Sequence, residues 1–350
     1  MQFAWHFFSA IGARRLRRFH VAPHRRKFEC GIGVNAALLS PPFEGNVYGL
    51  MIMNLRSFVL KSIAVLSLLS FALTAVGADK KIVLIAGRAS HGSGQHEFQA
   101  GCLLLKQCLD KLPGIKSTVH FNGWPQDENV FDGADAVFIY CDGGGGHPAI
   151  KPERLKVLAD LMKKGVGLGC AHYAVEVPKD KGGPEWLAWI GGYFEMFWSV
   201  NPHWDADFKS LPTHPITRGV APFKINDEWY YHMRFPEGMK GVTPILTAVP
   251  PDNTRGRQGA NSSHGGNPHV FARKGMPEHV MWATERTDGG RGFGFTGGHF
   301  HRNWGDDNFR KLILNAILWT AKAEIPANGV PSTVTPEELK QNLDPKGDKK

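Results

Sequence analysis

The chain has 350 residues, 42% of them apolar, and a formal charge of +9, which is enough for one large domain with a sizeable core. Most of the charge lies at the amino end: seven Arg/Lys against two Glu in residues 1–50, then Arg56 and Lys61, leaving +2 for the rest. That near-neutral remainder excludes an electrostatic case for nucleic acid as partner.

Residues 1–50 read as a non-native upstream extension before a start at Met51 or Met53. Arg56 and Lys61 then form a short basic region, residues 62–75 a compact apolar run, and Val76-Gly77-Ala78 a small-residue cleavage site before Asp79. This is the three-part pattern of a signal peptide over 51–78. It predicts a periplasmic or secreted protein with no stable membrane span after cleavage; an uncleaved anchor is the alternative.

Downstream, four apolar runs each lead into glycine and then histidine. Lys81–Gly87 leads to His91, Ala136–Cys141 to His147, Gly165–Cys170 to His172, and Gly292–Gly298 to His299 and His301. Short continuous apolar runs bounded by glycine read as buried parallel strands. Function in such a sheet collects beyond the carboxyl ends of the strands, where these histidines fall. Helical spacing is expected from Phe98 to Leu112, from Pro152 onward, and from Asp306 to Ala323. Alternation of strand and helix predicts an α/β fold with a mostly parallel sheet and helices on both faces. Between Pro178 and Arg291 the rhythm breaks, with strands expected at 223–225, 243–248, 269–273 and 279–284. Residues 79–325 form the expected domain and 326–350 a loosely packed tail.

The turn at Gly167-Leu-Gly-Cys-Ala-His172-Tyr173 is a strand-to-helix elbow offering Cys170 or His172. A cysteine nucleophile needs a base held by a carboxylate, and His299-Phe-His301 brings no Glu, so Cys170 reads as a buried strand residue. Cys102 and Cys108 read as core residues, and a Cys141–Cys170 bridge has no support from spacing. Asp227-Glu228 precedes an aromatic group, Trp229, Tyr230 and Tyr231. Desolvation there suits Glu228 to acid–base work and the rings suit a sugar face. The plainer alternative has Asp227 capping a turn and Glu228 pairing with an arginine. His91 and His96 lie in a Gly/Ser-rich loop with no packing reason for imidazole.

Four stretches, 81–97, 165–176, 214–230 and 292–319, resemble the ThuA-like (trehalose utilisation) family of the class I glutamine amidotransferase-like superfamily. His214, Pro215, Gly219, Asp227, Glu228 and Tyr230 match its His-Pro-Ile-Thr…Gly…Asp-Glu-x-Tyr signature. The resemblance implies a flavodoxin-like fold and a carbohydrate-related role.

These readings give a carbohydrate- or keto-sugar-active enzyme with His172, His299 and Glu228 catalytic. His91, His96, His147, Tyr173, Asp227, Tyr230 and His301 would bind a small-molecule carbohydrate. The alternatives are a non-catalytic carbohydrate-binding module and a metal-dependent sugar hydrolase or isomerase. The leading reading requires no cofactor, although His91, His172, Glu228, His232, His299 and His301 supply enough N/O donors for a divalent metal.

Overall fold

The computed structural model describes residues 79–260 and 262–346; the extension and signal expected over 1–78 lie outside them. In chain order the main elements are β1 (Lys80–Ala86), α1 (Phe98–Leu109), β2 (Ile115–His120), β3 (Ala136–Tyr140), α2 (Pro152–Lys163) and β4 (Gly167–Ala171). There follow α3 (Gly183–Trp189), β5 (His203–Phe208), β6 (Phe223–Glu228), β7 (Val242–Ala248), α4 (Pro268–Phe271), β8 (Glu278–Glu285), β9 (Arg291–Phe295), α5 (Asp307–Thr320) and α6 (Pro336–Leu339).

Seven strands form one sheet in the order β2-β1-β3-β4-β9-β8-β7. The first five run parallel, and β8 and β7 close the edge antiparallel. This is the mostly parallel, flavodoxin-like α/β architecture the sequence predicts. Residues of β3 and β4 are buried on both faces because helices cover both sides. One core layer packs α1 and α5 through Phe98, Leu105, Phe309 and Ile313. The opposite layer packs α2 and α3 through Leu158, Met162 and Trp186.

Register decides where function can gather. Ala86 pairs with Tyr140, Tyr140 with Ala171, and Ala171 with Phe295. The carboxyl ends of β1, β3, β4 and β9 therefore lie in one row, and their loops leave from one edge.

Three expectations change. Residues 269–273 begin in α4, not a strand, because Asn267 caps Val270 N and Pro268 occupies the first helical turn. β5 was not foreseen; its alternating burial pairs it antiparallel with β6 in a separate two-stranded sheet. The carboxyl-terminal segment is not loose. Val330 is buried and its N–H donates to Asn315 Oδ1, and Lys346 reaches Glu97 at 3.1 Å. α5 is buried nearly all round rather than on one face, because the turn at 215–218 covers it as well: Asn315 Nδ2 donates to Ile216 O and Arg218 O. Among the described residues no helix is long and apolar enough to cross a membrane.

Candidate metal centre

Four side chains from four separate loops and strand ends converge: His96 after β1, His172 after β4, Glu228 at the end of β6 and His299 after β9. One donor atom from each lies within 4.8 Å of all the others. His96 Nε2 is 2.9 Å from His172 Nε2 and 3.0 Å from His299 Nδ1. Glu228 Oε2 is 3.0 Å from His299 Nδ1 and 3.4 Å from His172 Nε2.

The backbone works to hold this arrangement. His96 and His172 take φ of 47° and 54°, and neighbouring His91 takes 62°, in the left-handed region that side chains rarely occupy. Such strain persists only where surrounding contacts over-determine it, and it collects at functional sites. The contacts are present. His96 N–H donates to His299 O, and a Gln95–Phe300 bridge ties the two loops. A Cβ at Gly143 would meet Tyr173 O at 2.0 Å, so glycine is required where the loop after β3 crosses the loop after β4. Buried Asp227 accepts from the backbone N–H groups of Glu228, Gly298, His299 and Phe300, locking the His299 loop to the end of β6.

Hydrogen-bond partners set the tautomers. His172 Nδ1 lies 3.0 Å from Thr296 O, which can only accept, so that nitrogen carries the proton. His96 Nδ1 lies 2.8 Å from Asp142 Oδ1 and carries its proton likewise. Both inward Nε2 atoms then present lone pairs to each other at 2.9 Å, an arrangement that needs a shared proton or a cation. Imidazoles whose outer N–H is fixed by a carboxylate or carbonyl are the usual form of metal ligands. Zinc bonds of about 2.0–2.2 Å at a tetrahedral centre place donor pairs roughly 3.3–3.6 Å apart, and the separations here, 2.9 to 3.4 Å, need to open by only a few tenths of an ångström to accept the ion. The residues fit a divalent ion.

Electrostatics agree. Burial, with His172 next, drives His96 well below the ordinary imidazole range, so it stays neutral. Burial also opposes charge on His172, but the Glu228 carboxylate outweighs it and the net shift is upward. Burial alone would raise Glu228; hydrogen bonds with His172 and His299 hold it far below its usual range. The cluster therefore keeps an anion and favours one cationic charge, a proton or a metal. Replacing Asp142 with alanine is expected to weaken metal binding about 10–100-fold while the fold is retained, measurable by competition with a chelating dye.

The sequence matches the ThuA family, described as trehalose utilisation, over residues 83–320, more than half the chain. The chain belongs to the ThuA family. No match was found among curated proteins. A ThuA-like protein from Bacteroides uniformis is similar in structure, with a TM-score of 0.50 and 15% identity, covering 71% of this chain and 94% of its own. Another from Parabacteroides merdae gives 0.47 and 16%, covering 73% and 93%.

Within this ThuA chain the predicted residues divide. His96, His172, Glu228 and His299 meet, with Tyr230 Oη 3.3 Å from His172 Nε2. Burial raises the Tyr230 phenol well above its ordinary value, keeping it a donor. His91 stacks on His96 at 3.6 Å between ring centroids and lines the open side, as does half-exposed Tyr173, whose phenol burial and Glu176 push up to about 12.

Four expectations are corrected. His147 is buried beside Trp186 with its Nε2 3.2 Å from Ala174 O, and burial lowers it to about 4; its ring packs into the core and does not join the cluster. Asp227 is a backbone clamp with no exposed surface for a substrate. His301 does not join the cluster as binder or metal donor, because β9 ends at Phe295 and a short 3-10 turn directs His301 Nε2 to Leu339 O. His232, counted among the metal donors, stacks on Trp198 and lies 3.8 Å from Glu278 instead.

Cys170 is fully buried with its thiol pushed up by that burial, as a strand residue should be. Cys102, Cys108, Cys141 and Cys170 are unbridged.

Sequence reading missed Asp142, Asn201, His203 and Thr296. Asn201 Nδ2 donates to Glu228 Oε1 at 3.1 Å, and the His203 ring lies 4.8 Å from that of His299. Asp142 was findable, as a carboxylate directly at a strand end before a glycine run. Thr296 lies within the Gly292–Gly298 run but acts through its backbone carbonyl, which no side-chain motif marks, and Asn201 and His203 come from a segment without a chemical motif.

Proposed function

We propose that this ThuA protein is an exported, divalent-metal-dependent enzyme acting on a carbohydrate or keto-sugar. The observation that carries it is the pair of inward imidazole lone pairs 2.9 Å apart, flanked by Glu228 and His299. When bound, zinc or manganese at such donors polarises a hydroxyl or carbonyl oxygen as a Lewis acid. His96, His172 and His299 hold the ion, a role that replaces proton transfer for His172 because its side chain is 0% exposed. Glu228, at 14% side-chain exposure, is the most open of the four donors. Its Oε1 is anchored by Asn201 and its Oε2 is 3.4 Å from Tyr230 Oη. Held far below its usual range it stays ionised, so it serves as an anionic donor to the ion and a hydrogen-bond acceptor for a sugar hydroxyl, and not as the proton-transfer group that desolvation alone would have made it. Tyr173, His91, His203 and Phe300 provide ring faces and polar edges of the kind that pack a sugar. The family description and the aromatic rim support the carbohydrate; the signal pattern at 51–78 supports export.

The test is metal content of the mature protein purified without chelator, with turnover across glycosides, keto-sugars and free sugars. One equivalent of zinc or manganese is expected, with turnover that chelator abolishes and metal restores. Metal-free protein with full, chelator-insensitive turnover would overturn the reading. Four protein donors can also close a tetrahedral shell, which favours a second reading: a sugar-binding module with a structural ion. Chelation that lowers thermal stability of a protein binding sugars without turning them over selects it.

A further inference from the structure

A second feature of the same sheet edge lies outside the histidine cluster. A cavity of about 360 Å³ opens at the carboxyl ends of β1, β2 and β3, lined by Arg88, Lys151, Arg154, Asp142, Asn122 and Trp124. Its position is set by topology. From β1 the chain passes through α1 to β2 on one side, and then returns to β3 on the other side of β1. That reversal of strand order opens the crevice in which open α/β sheets bind ligands.

The lining carries three cations and one carboxylate. Asp142 is engaged by His96 at 2.8 Å and faces His91 at 4.0 Å, and among the described residues none of the three cations has an ion-pair partner. Arg154 is half-buried and pre-positioned: its Nη1 donates to Pro148 O at 2.6 Å, and its guanidinium lies 5.8 Å from the Trp124 ring. Uncompensated guanidinium and ammonium groups around one concavity suit an oxyanion, whose geometry the arginine fork matches. Asp142 belongs both to this cavity and to the support of His96, so the two sites adjoin.

We propose that this cavity is an oxyanion subsite, taking the phosphoryl or carboxylate group of an anionic sugar whose polyol end reaches the histidine cluster past Asp142. The polyol half rests on the function proposed above; the anion half stands on the cavity alone.

Calorimetry on the mature protein at fixed ionic strength, with and without chelator, tests it using inorganic phosphate, glucose 6-phosphate, gluconate and glucose. At least one anionic sugar is expected to bind about tenfold or more tightly than glucose, and an Arg88→Ala/Lys151→Ala double variant to lose that advantage at unchanged metal content. Both residues are exposed, so the variant is expected to fold as the parent does. Phosphate and glucose 6-phosphate binding assigns a phosphoryl group; gluconate binding without phosphate binding assigns a carboxylate. Equal affinity for glucose and its anionic derivatives, or undiminished anion binding in the double variant, overturns the subsite. Anion binding that persists in a protein found to hold no metal supports the subsite while removing the metal centre.

Discussion

Replacing His172 with asparagine is expected to leave a folded chain that has lost its metal and its turnover. Asparagine tolerates the left-handed backbone at φ 54°, which alanine does not, so the variant separates loss of the imidazole from loss of the fold. His96→Asn, at φ 47°, is the matching case. Each removes a donor atom, so the affinity loss should exceed the roughly 10–100-fold produced by losing an outer partner. Metal binding by the parent should also release a proton, because an ion displaces the proton that Glu228 favours on His172. The sign follows: lowering pH refills that imidazole, whose affinity for protons is raised, and weakens the metal, whereas raising pH strengthens it. Circular dichroism, metal content by mass spectrometry and turnover together decide the matter. A folded His172→Asn protein with a full equivalent of metal would remove the centre as drawn.

Asp227→Ala is expected to be the most destabilising single change near the site. Its carboxylate accepts backbone N–H groups of Gly298 at 2.7 Å, Glu228 at 2.8 Å, His299 at 3.1 Å and Phe300 at 3.3 Å, with no exposed surface. Truncation leaves these donors without their acceptor in a buried setting, a loss on the order of 3–5 kcal/mol. For a domain of this size that corresponds to roughly 6–20 °C in melting temperature. Because the same bonds fix the His299 loop, metal affinity should fall together with stability. Asp227→Asn, which keeps one acceptor oxygen, should fall between the two. Calorimetric melting of the three proteins supplies the measurement; a shift below about 1 kcal/mol for alanine would show that water replaces the clamp.

Much of the architecture was legible because it is written in local patterns. Continuous apolar runs such as Lys81–Gly87 and Ala136–Cys141 can be satisfied only by a sheet covered on both faces, and Pro152 or Asp306 marks a helix start wherever it folds. β5 and α4 escaped because His203–Phe208 carries two aspartates and Pro268–Phe271 is a single turn, too short for periodicity to show.

The site divides along the same line. From the sequence by itself came the parallel α/β fold, the row of strand ends, and the presence there of His91, His172 and His299, since the residue following a buried strand must emerge at its edge. Only the tertiary structure decided which histidines meet. His147 and His301 leave the same edge as His172 and His299, yet one turns into the core and the other toward Leu339, because rotamer and loop path are set by distant partners. Glu228 joins the cluster from β6, in a different sheet, and Asp142 orients His96 across 46 residues. Distances of 3 Å between such groups are products of packing, and no spacing along the chain encodes them.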